Sequence, residues 1–304
     1  MEKAEIAGEA CNVLVGRNEY WGSRLNGRFL IYSGPNLRTQ PAIQEIKTGM
    51  RKCGALGAMW HYDYDVLENA NWFGWTCDIR DYDIEILESK SIRKALRRSL
   101  RRCEHRRVDL TWLAQHGYKT YVNAATRYRN FQTMPQAEWE RSMLDGAGDS
   151  RKEVHGVFVG GALAAYGLMH IWGKTVQFRT AKFDPTYASA EPMYCLYYFV
   201  ARHYLTDLKY DEVYHGMEPL FHDTDKADLL LRLGRRRVFL KLGLYLVWPI
   251  RVLLCMLRHS HSIAFLPLAE SQQRMIKALW KAQNIEAGRV PLPPDGGARV
   301  LGRE

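Results

Sequence analysis

The sequence predicts a mixed α/β fold, with a mostly antiparallel sheet flanked by helices, and three observations carry that expectation. Short apolar runs are separated by tight-turn signals: 154–159 ends in Gly160-Gly161, and 162–171 ends in Trp172-Gly173-Lys174. Residues 175–181 alternate, with Val176, Phe178 and Thr180 on one side and Gln177 and Arg179 on the other, which is the period of a half-buried strand. Pro192 then opens a run, 193–205, that is apolar on nearly every face and fits a buried helix. Strand-like segments at 213–215 and 237–247 follow it, and an extended segment, 182–190, precedes it.

Upstream, residues 11–15 and 28–33 read as strands, and Gly34-Pro35-Asn36 is a turn signal. Ile43, Ile46 and Met50 stand at helical spacing within 39–53, and 56–61 and 72–79 are strand-like. Residues 89–103 form the clearest amphipathic helix. Ile92, Leu96, Leu100 and Cys103 fall near one face, basic residues cover much of the rest, and Ser89 or Ser91 can cap its start. Residues 110–130 and 135–143 read as helices. The polar stretch 146–152 is the best place for a boundary, which gives an N-terminal mixed α/β lobe (1–148, with the basic helix 89–107) and a C-terminal lobe (149–285). Residues 239–257 are apolar but broken by Lys241, Pro249 and Arg251. A membrane span needs about 20 predominantly apolar residues, so this stretch reads as a last core strand and a short amphipathic helix. With Trp248, Arg251 and Arg258, that helix either packs on the core or lies at a membrane surface. The tail, 286–304, is rich in Pro, Gly and charge and reads as disordered.

The order of these elements resembles the GNAT N-acyltransferase fold, in particular its FemAB-like branch. The resemblance rests on Gly161 to Tyr166, on Phe183-Asp184-Pro185-x-Tyr187, and on 191–205. It continues through Tyr214-His215-Gly216, His222-Asp223-Thr224 and Leu233-Gly234-Arg235-Arg236. FemAB-like proteins show a similar F-D-P-x-Y before the helix and a D-G-x-R … H-x-T … F-G-F-R series after the next strand. Residues 91–96 are similar to their basic R-x-x-I-R-K helix. The similarity spans roughly 70–250. It implies a GNAT-like lobe at 149–285 and a possible reduced GNAT-like lobe before it.

Composition narrows the partners. The 304 residues carry a net charge of +10, which points to an anionic partner such as nucleic acid, a phosphorylated cofactor or an anionic membrane surface. Eight basic residues between Arg93 and Arg107 are opposed only by Glu104. They form either a solvated face whose arginines lie along the helix sides or a surface for phosphates of CoA, tRNA or lipid. Six cysteines lie far apart without a C-x-x-C pair, and the first ten residues are acidic and polar. The reading is a reduced, cytoplasmic protein, either free or peripheral at the inner face of the membrane.

Acyl transfer to an amine needs a held donor, hydrogen-bond donors for the developing oxyanion and a proton acceptor. The resemblance supplies the first two from backbone: central strands splay apart, and a helix N-terminus, here near Glu191-Pro192, faces the donor's phosphates. The family's glycine-rich phosphate loop is absent, because 187–193 contains no glycine. The co-substrate is therefore acyl-CoA or another acyl carrier, aminoacyl-tRNA included; no metal and no stable nucleic-acid complex are expected. Ser189, Tyr194, Arg97 and Arg98 are the candidates for holding that donor. His215, Glu218, His222 and Asp223 lie just past a strand's C-terminal end, where open sheets place ligands. His222, matching H-x-T, is the first choice for proton acceptor; its other reading is a loop residue bonded to backbone. Tyr166 is a candidate for protonating a leaving group, and Arg179, Tyr187, Asp223 and Thr224 for binding substrate. Cys195 lies in the apolar helix and reads as core. The resemblance implies cell-envelope or polysaccharide precursors as acceptors.

Two other classes stay open. His61, Asp63 and Asp65 form H-x-D-x-D, on one face if the chain is extended, a spacing that can hold a divalent cation and resembles the D-x-D of nucleotide-sugar glycosyltransferases. The same Asp-Tyr-Asp recurs at 81–83. A non-catalytic basic adaptor would use the arginine helix on RNA or anionic lipid, with binding that falls steeply with salt.

Overall fold

The computed structural model describes residues 12–15, 18–24, 28–32, 34, 36–127, 133–218, 220, 226–258 and 270–292. Along the chain the elements are β1 (Asn12–Val15), β2 (Asn18–Arg24), β3 (Phe29–Tyr32), α1 (Ile43–Cys53), β4 (Gly57–Tyr62), β5 (Trp72–Cys77), α2 (Lys90–Arg102), β6 (Glu104–Val108), α3 (Leu110–His116), α4 (Tyr118–Ala125) and α5 (Gln136–Asp145). They continue with β7 (Lys152–Val159), β8 (Ala162–Trp172), β9 (Thr175–Phe183), α6 (Pro192–Ala201), β10 (Glu212–Met217), α7 (Lys226–Arg232), β11 (Arg236–Leu246), α8 (Trp248–Arg258) and α9 (Glu270–Glu286). Two compact units share the chain. One takes Met1–Gly74, Met217–Thr224 and Arg237–Glu304; the other takes Trp75–Gly216 and Asp225–Arg236.

In the first unit β1, β2 and β3 pair antiparallel, β4 joins β3 in parallel, and β11 pairs antiparallel with β4. Alternation along β3 sorts its side chains between two apolar layers. Leu30 and Tyr32 pack with Ile46 and Met50 of α1, and Phe29 packs with Leu240, Leu242, Leu254 of α8 and Leu279 of α9. Every residue of β4 is buried, as expected of a strand covered on both faces.

The second unit carries the predicted hairpins. β6, β7, β8 and β9 pair antiparallel in sequence order, and β10 pairs with β9 in parallel. A parallel neighbour needs a crossover connection, and α6 is that crossover. It packs on β6, β7, β8 and α2. On another layer Leu110, Leu113, Tyr121 and Trp139 of α3–α5 close over Val154 and Tyr166. Gly160 and Gly161 both take positive φ in the β7–β8 turn, which only glycine adopts without strain.

Several expectations are corrected. The predicted helix 110–130 breaks into α3 and α4 at Gly117, where a Cβ would press on the Leu113 carbonyl at 2.8 Å. Most of the polar stretch 146–152 is the turn between α5 and β7, which opens at Lys152, inside the second unit, so the composition shift there marks a turn and not a lobe boundary; the basic helix α2 belongs with β7–β10. Residues 104–108, read as the end of a basic helix, form the edge strand β6, and 185–190 is a 3-10 turn where an extended segment was expected. The H-x-D-x-D run is not extended: β4 ends at Tyr62, and Asp63 and Asp65 both adopt left-handed φ. His61 is buried, its Nε2 3.3 Å from Asn36 Oδ1, so the three side chains do not share a face and the metal-dependent glycosyltransferase reading loses its geometry. Strand β11 and helix α8 stand where the sequence put them, and among the described residues no helix is long and apolar enough to cross a membrane. Residues 293–304 of the expected disordered tail lie outside the described residues.

Candidate functional site

The geometry of interest is where β9 and β10 part. The parallel ladder runs through Glu212↔Thr175, Val213↔Val176 and Tyr214↔Gln177 and goes no further, although β9 continues to Phe183 and β10 to Met217. Beyond Gln177, β9 bulges: Leu168 pairs with Thr180 and Met169 with Phe178, leaving Arg179 as the extra, exposed residue. On β10, Gly216 takes φ +84°, which turns the backbone away just after His215. Strands that stop pairing leave N–H and C=O groups for another partner.

A buried cluster sits at the point of divergence. The His215 ring stacks on Phe178 (centroids 5.2 Å) and meets Tyr197 of α6 edge-on at 5.4 Å. Arg235, only 3% exposed, reaches under them. Its Nε donates to His215 Nε2 at 3.3 Å, its Nη1 to Tyr82 Oη at 2.7 Å and to the Leu233 carbonyl, and its Nη2 to the Tyr197 carbonyl at 2.6 Å. A guanidinium can only donate, so Nε2 of His215 is an acceptor and its proton sits on Nδ1. That commitment removes His215 Nε2 as a proton acceptor for substrate. The Leu-Gly-Arg-Arg turn makes the placement: Gly234 at φ +75° reverses the chain after α7 and drives Arg235 inward, while Arg236 pairs with Asp78 at 2.8 Å.

The second feature is the turn into α6. Asp184 accepts from Thr186 N (2.9 Å), Thr186 Oγ1 (2.7 Å) and Asn123 Nδ2 (2.6 Å), and so caps the 3-10 turn Pro185–Ala190. Although burial opposes it, these hydrogen bonds hold the Asp184 carboxyl below its ordinary range. Glu191 follows with left-handed φ +57°, and Pro192 starts the helix. Helix α2 clamps this turn. Arg98 grips the Glu191 carboxylate with two donors, Nε at 3.0 Å; Ser99 Oγ donates to the Glu191 carbonyl at 2.9 Å, and Arg102 Nη1 to the Ser189 carbonyl at 2.9 Å. The amphipathic pattern read from the sequence explains the docking, since Ile92, Leu96 and Ser99 are its buried positions. The Cys103 thiol, at the end of α2, is held below its ordinary range, chiefly by a hydrogen bond from Cys195 and against the effect of burial. Cys195 itself is fully buried, as its reading as core requires.

The structure assembles some of the expected site residues and disperses others. Ser189, Tyr194 and Arg98 converge on the turn before α6; Arg97 turns away to pair with Glu85. Tyr187 is half-buried in the 3-10 turn, its N–H on the Asp184 carbonyl at 3.1 Å. Tyr166 is a correction: it is 2% exposed beneath α3–α5, so its hydroxyl has no route to a leaving group, and burial raises its pKa well above the ordinary phenol range. Glu218 lies in the first unit, its N–H donating to the Phe73 carbonyl at 3.0 Å and its carbonyl accepting from Trp72 Nε1 at 3.0 Å. His222, Asp223 and Thr224 lie outside the described residues. Sequence reasoning passed over Arg235, Arg102 and Glu191 as site residues. All three stood in segments the sequence singled out, Glu191 at the expected helix start, Arg102 in the basic helix and Arg235 in the motif 233–236, but nothing in a run of three arginines says which is buried.

No protein-family model matches the chain, and no curated protein does. Solved structures do. The C-terminal domain of a protein named as a lysylphosphatidylglycerol synthetase in Agrobacterium fabrum is similar at TM-score 0.51 and 10% identity, over 77% of this chain and 83% of that one. L-PGS from Bacillus licheniformis is similar at TM-score 0.50 and 10% identity, over 79% and 86%. FemX overlaps less well, at TM-score 0.44 and 11% identity over 69% and 70%. At these identities the likeness speaks for the fold: a GNAT-like mixed, mostly antiparallel sheet flanked by helices, as the sequence predicted.

Proposed function

We propose that this chain transfers an acyl or aminoacyl group from a phosphate-bearing ester or thioester carrier to an amine acceptor. The observation that carries the reading is the early end of the β9/β10 ladder beside a helix α6 whose entry turn is clamped by a basic helix. An activated carbonyl lying in that opening would find backbone N–H groups released from pairing, and such donors stabilise an oxyanion. The carrier's phosphates would lie along α2, where Arg101 and Arg102 are exposed. Glu191 bears on which carrier fits. Its carboxylate stands at the α6 N-terminus, the place a pyrophosphate would take, and Arg98 already neutralises it. That arrangement favours aminoacyl-tRNA over acyl-CoA, in keeping with a missing glycine-rich loop and with the kind of enzyme named in the lysylphosphatidylglycerol synthetase likeness. His222, with Glu218, is the proposed proton acceptor, and Arg179, Tyr187, Asp223 and Thr224 the proposed acceptor-binding residues. The acceptor is proposed to be an envelope or polysaccharide precursor, met by a protein peripheral to the inner face of the membrane.

The experiment is a thermal-shift screen against CoA, acyl-CoAs and charged tRNA, followed by transfer of a labelled aminoacyl group to amine acceptors. Ligand at a hundred times its dissociation constant adds about 2.7 kcal/mol of stability. Charged tRNA is expected to shift the transition, and His222→Ala to abolish turnover with the fold intact. A shift from tRNA that falls steeply with salt, with no transfer to any amine, would leave the non-catalytic basic adaptor standing instead.

A further inference from the structure

Away from the β9/β10 opening, three histidines of the second unit gather beneath the end of α6. His105 is on β6, His155 on β7, and His203 lies in the π-helical turn Arg202–Asp207 that continues α6. Glu153 and His155 share one face of β7, because side chains two apart on a strand point the same way. One donor atom from each of Glu153, His155 and His203 lies within 4.8 Å of the other two. π-turns are uncommon and are enriched at functional sites.

We propose that Glu153, His155 and His203 form a binding site for a divalent transition-metal ion, with Tyr204 and His105 orienting the donors. Two imidazoles and a carboxylate select zinc-like ions over magnesium or calcium, which prefer all-oxygen shells. Ligand atoms lie about 2.0–2.2 Å from zinc, so donors around it are roughly 3.4 Å apart, and the group closes on the ion by about 1 Å.

The surrounding bonds are those a metal site needs. Tyr204 Oη donates to Glu153 Oε2 at 2.8 Å and lies 3.1 Å from His155 Nε2; on the other side, His155 Nδ1 lies 2.9 Å from His105 Nε2. In the metal-free protein the Tyr204 oxygen accepts from His155 Nε2–H. Loading frees Nε2 for the ion by moving the His155 proton to Nδ1 while the His105 proton moves from Nε2 to its own Nδ1, so His105 Nε2 turns from donor to acceptor and the ligating ring keeps an oriented second bond. A cation already stands at the spot. Arg107 approaches Glu153 at 3.2 Å and His203 Nε2 at 3.5 Å, yet its side chain is 53% exposed and can leave. His155 is fully buried, whereas the Glu153 and His203 side chains each keep 20% exposure, which gives an ion a route in.

The test uses the tag-free full chain, stripped with chelator and titrated with Zn²⁺ by calorimetry and with Co²⁺ by visible absorption. One equivalent is expected, with the d–d spectrum of a nitrogen- and oxygen-bound ion. His203→Ala, at a part-exposed position, should keep the circular dichroism of the wild type and bind about 100-fold more weakly, Tyr204→Phe about 10-fold more weakly. Arg107→Met should bind more tightly. Less than one equivalent in the wild type, a thiolate charge-transfer band from Co²⁺, or unchanged affinity in both His203→Ala and Glu153→Gln would overturn the site. None of these readouts depends on acyl transfer.

Discussion

Arg235 is the side chain on which the architecture of the β9/β10 opening rests, and its replacement gives an ordering that can be worked out in advance. Its guanidinium is buried, with two carbonyls, a phenol and an imidazole as partners and no carboxylate among them. A hydrogen bond from a charged group contributes about 1.5–3 kcal/mol net, so four contribute roughly 6–12 kcal/mol. Burying the ion costs several kcal/mol in return. Arg235→Met removes charge and donors together and keeps most of the apolar volume, so the loss is the difference, about 2–4 kcal/mol. Arg235→Lys keeps the cost of burying a charge but replaces a planar fork by a point charge that cannot span His215, Tyr82 and the Tyr197 carbonyl at once. It is therefore expected to be the worse substitution, by about 1 kcal/mol or more. Urea denaturation followed by tryptophan fluorescence near neutral pH reads both, as a drop in midpoint without a change in slope. A lysine variant more stable than the methionine variant would refute the reasoning, because it would mean that charge, and not the shape of the fork, is what the pocket holds.

Further outcomes follow from the same geometry. Burial lowers His61 to about 4 from 6.5, so the unfolded chain binds this proton first. Its contribution is full above pH 6.5 and is lost as pH falls toward 4, by roughly 3 kcal/mol; His61→Gln should flatten that part of a stability-against-pH curve. At position 191, with φ +57°, Glu191→Gly should cost under about 1 kcal/mol, because relief of the backbone offsets a part-exposed ion pair, while Glu191→Ala should cost more by about 1 kcal/mol. Thermal melts of the two variants decide this, and equal losses would show that the left-handed backbone is not under strain. Tyr166→Phe should leave transfer activity unchanged and cost at most about 1.5 kcal/mol, since the side chain packs and does not meet substrate; a large fall in turnover would return Tyr166 to the chemistry.

Local patterning determined much of this protein in advance. The hairpins β7–β8 and β8–β9 were legible because Gly160-Gly161 and Trp172-Gly173-Lys174 punctuate apolar runs, and α2 because its apolar residues recur at helical spacing. Alternation and turn chemistry act over a few residues, so one sequence window holds them. The edge strand β6 was not legible, since Glu-His-Arg-Arg-Val carries little apolar signal and pairs only because Val154–Phe158 lies alongside. The same limit governs the sites. The F-D-P-x-Y run and the basic helix were visible as motifs, but that α2 clamps the turn at Glu191, that Arg235 and not its neighbours is buried, and that His105, His155 and His203 meet are matters of long-range packing. Those residues are separated by tens of positions. Which side chains share a dry space is set by how layers stack, a property of the whole fold that no stretch of chain contains.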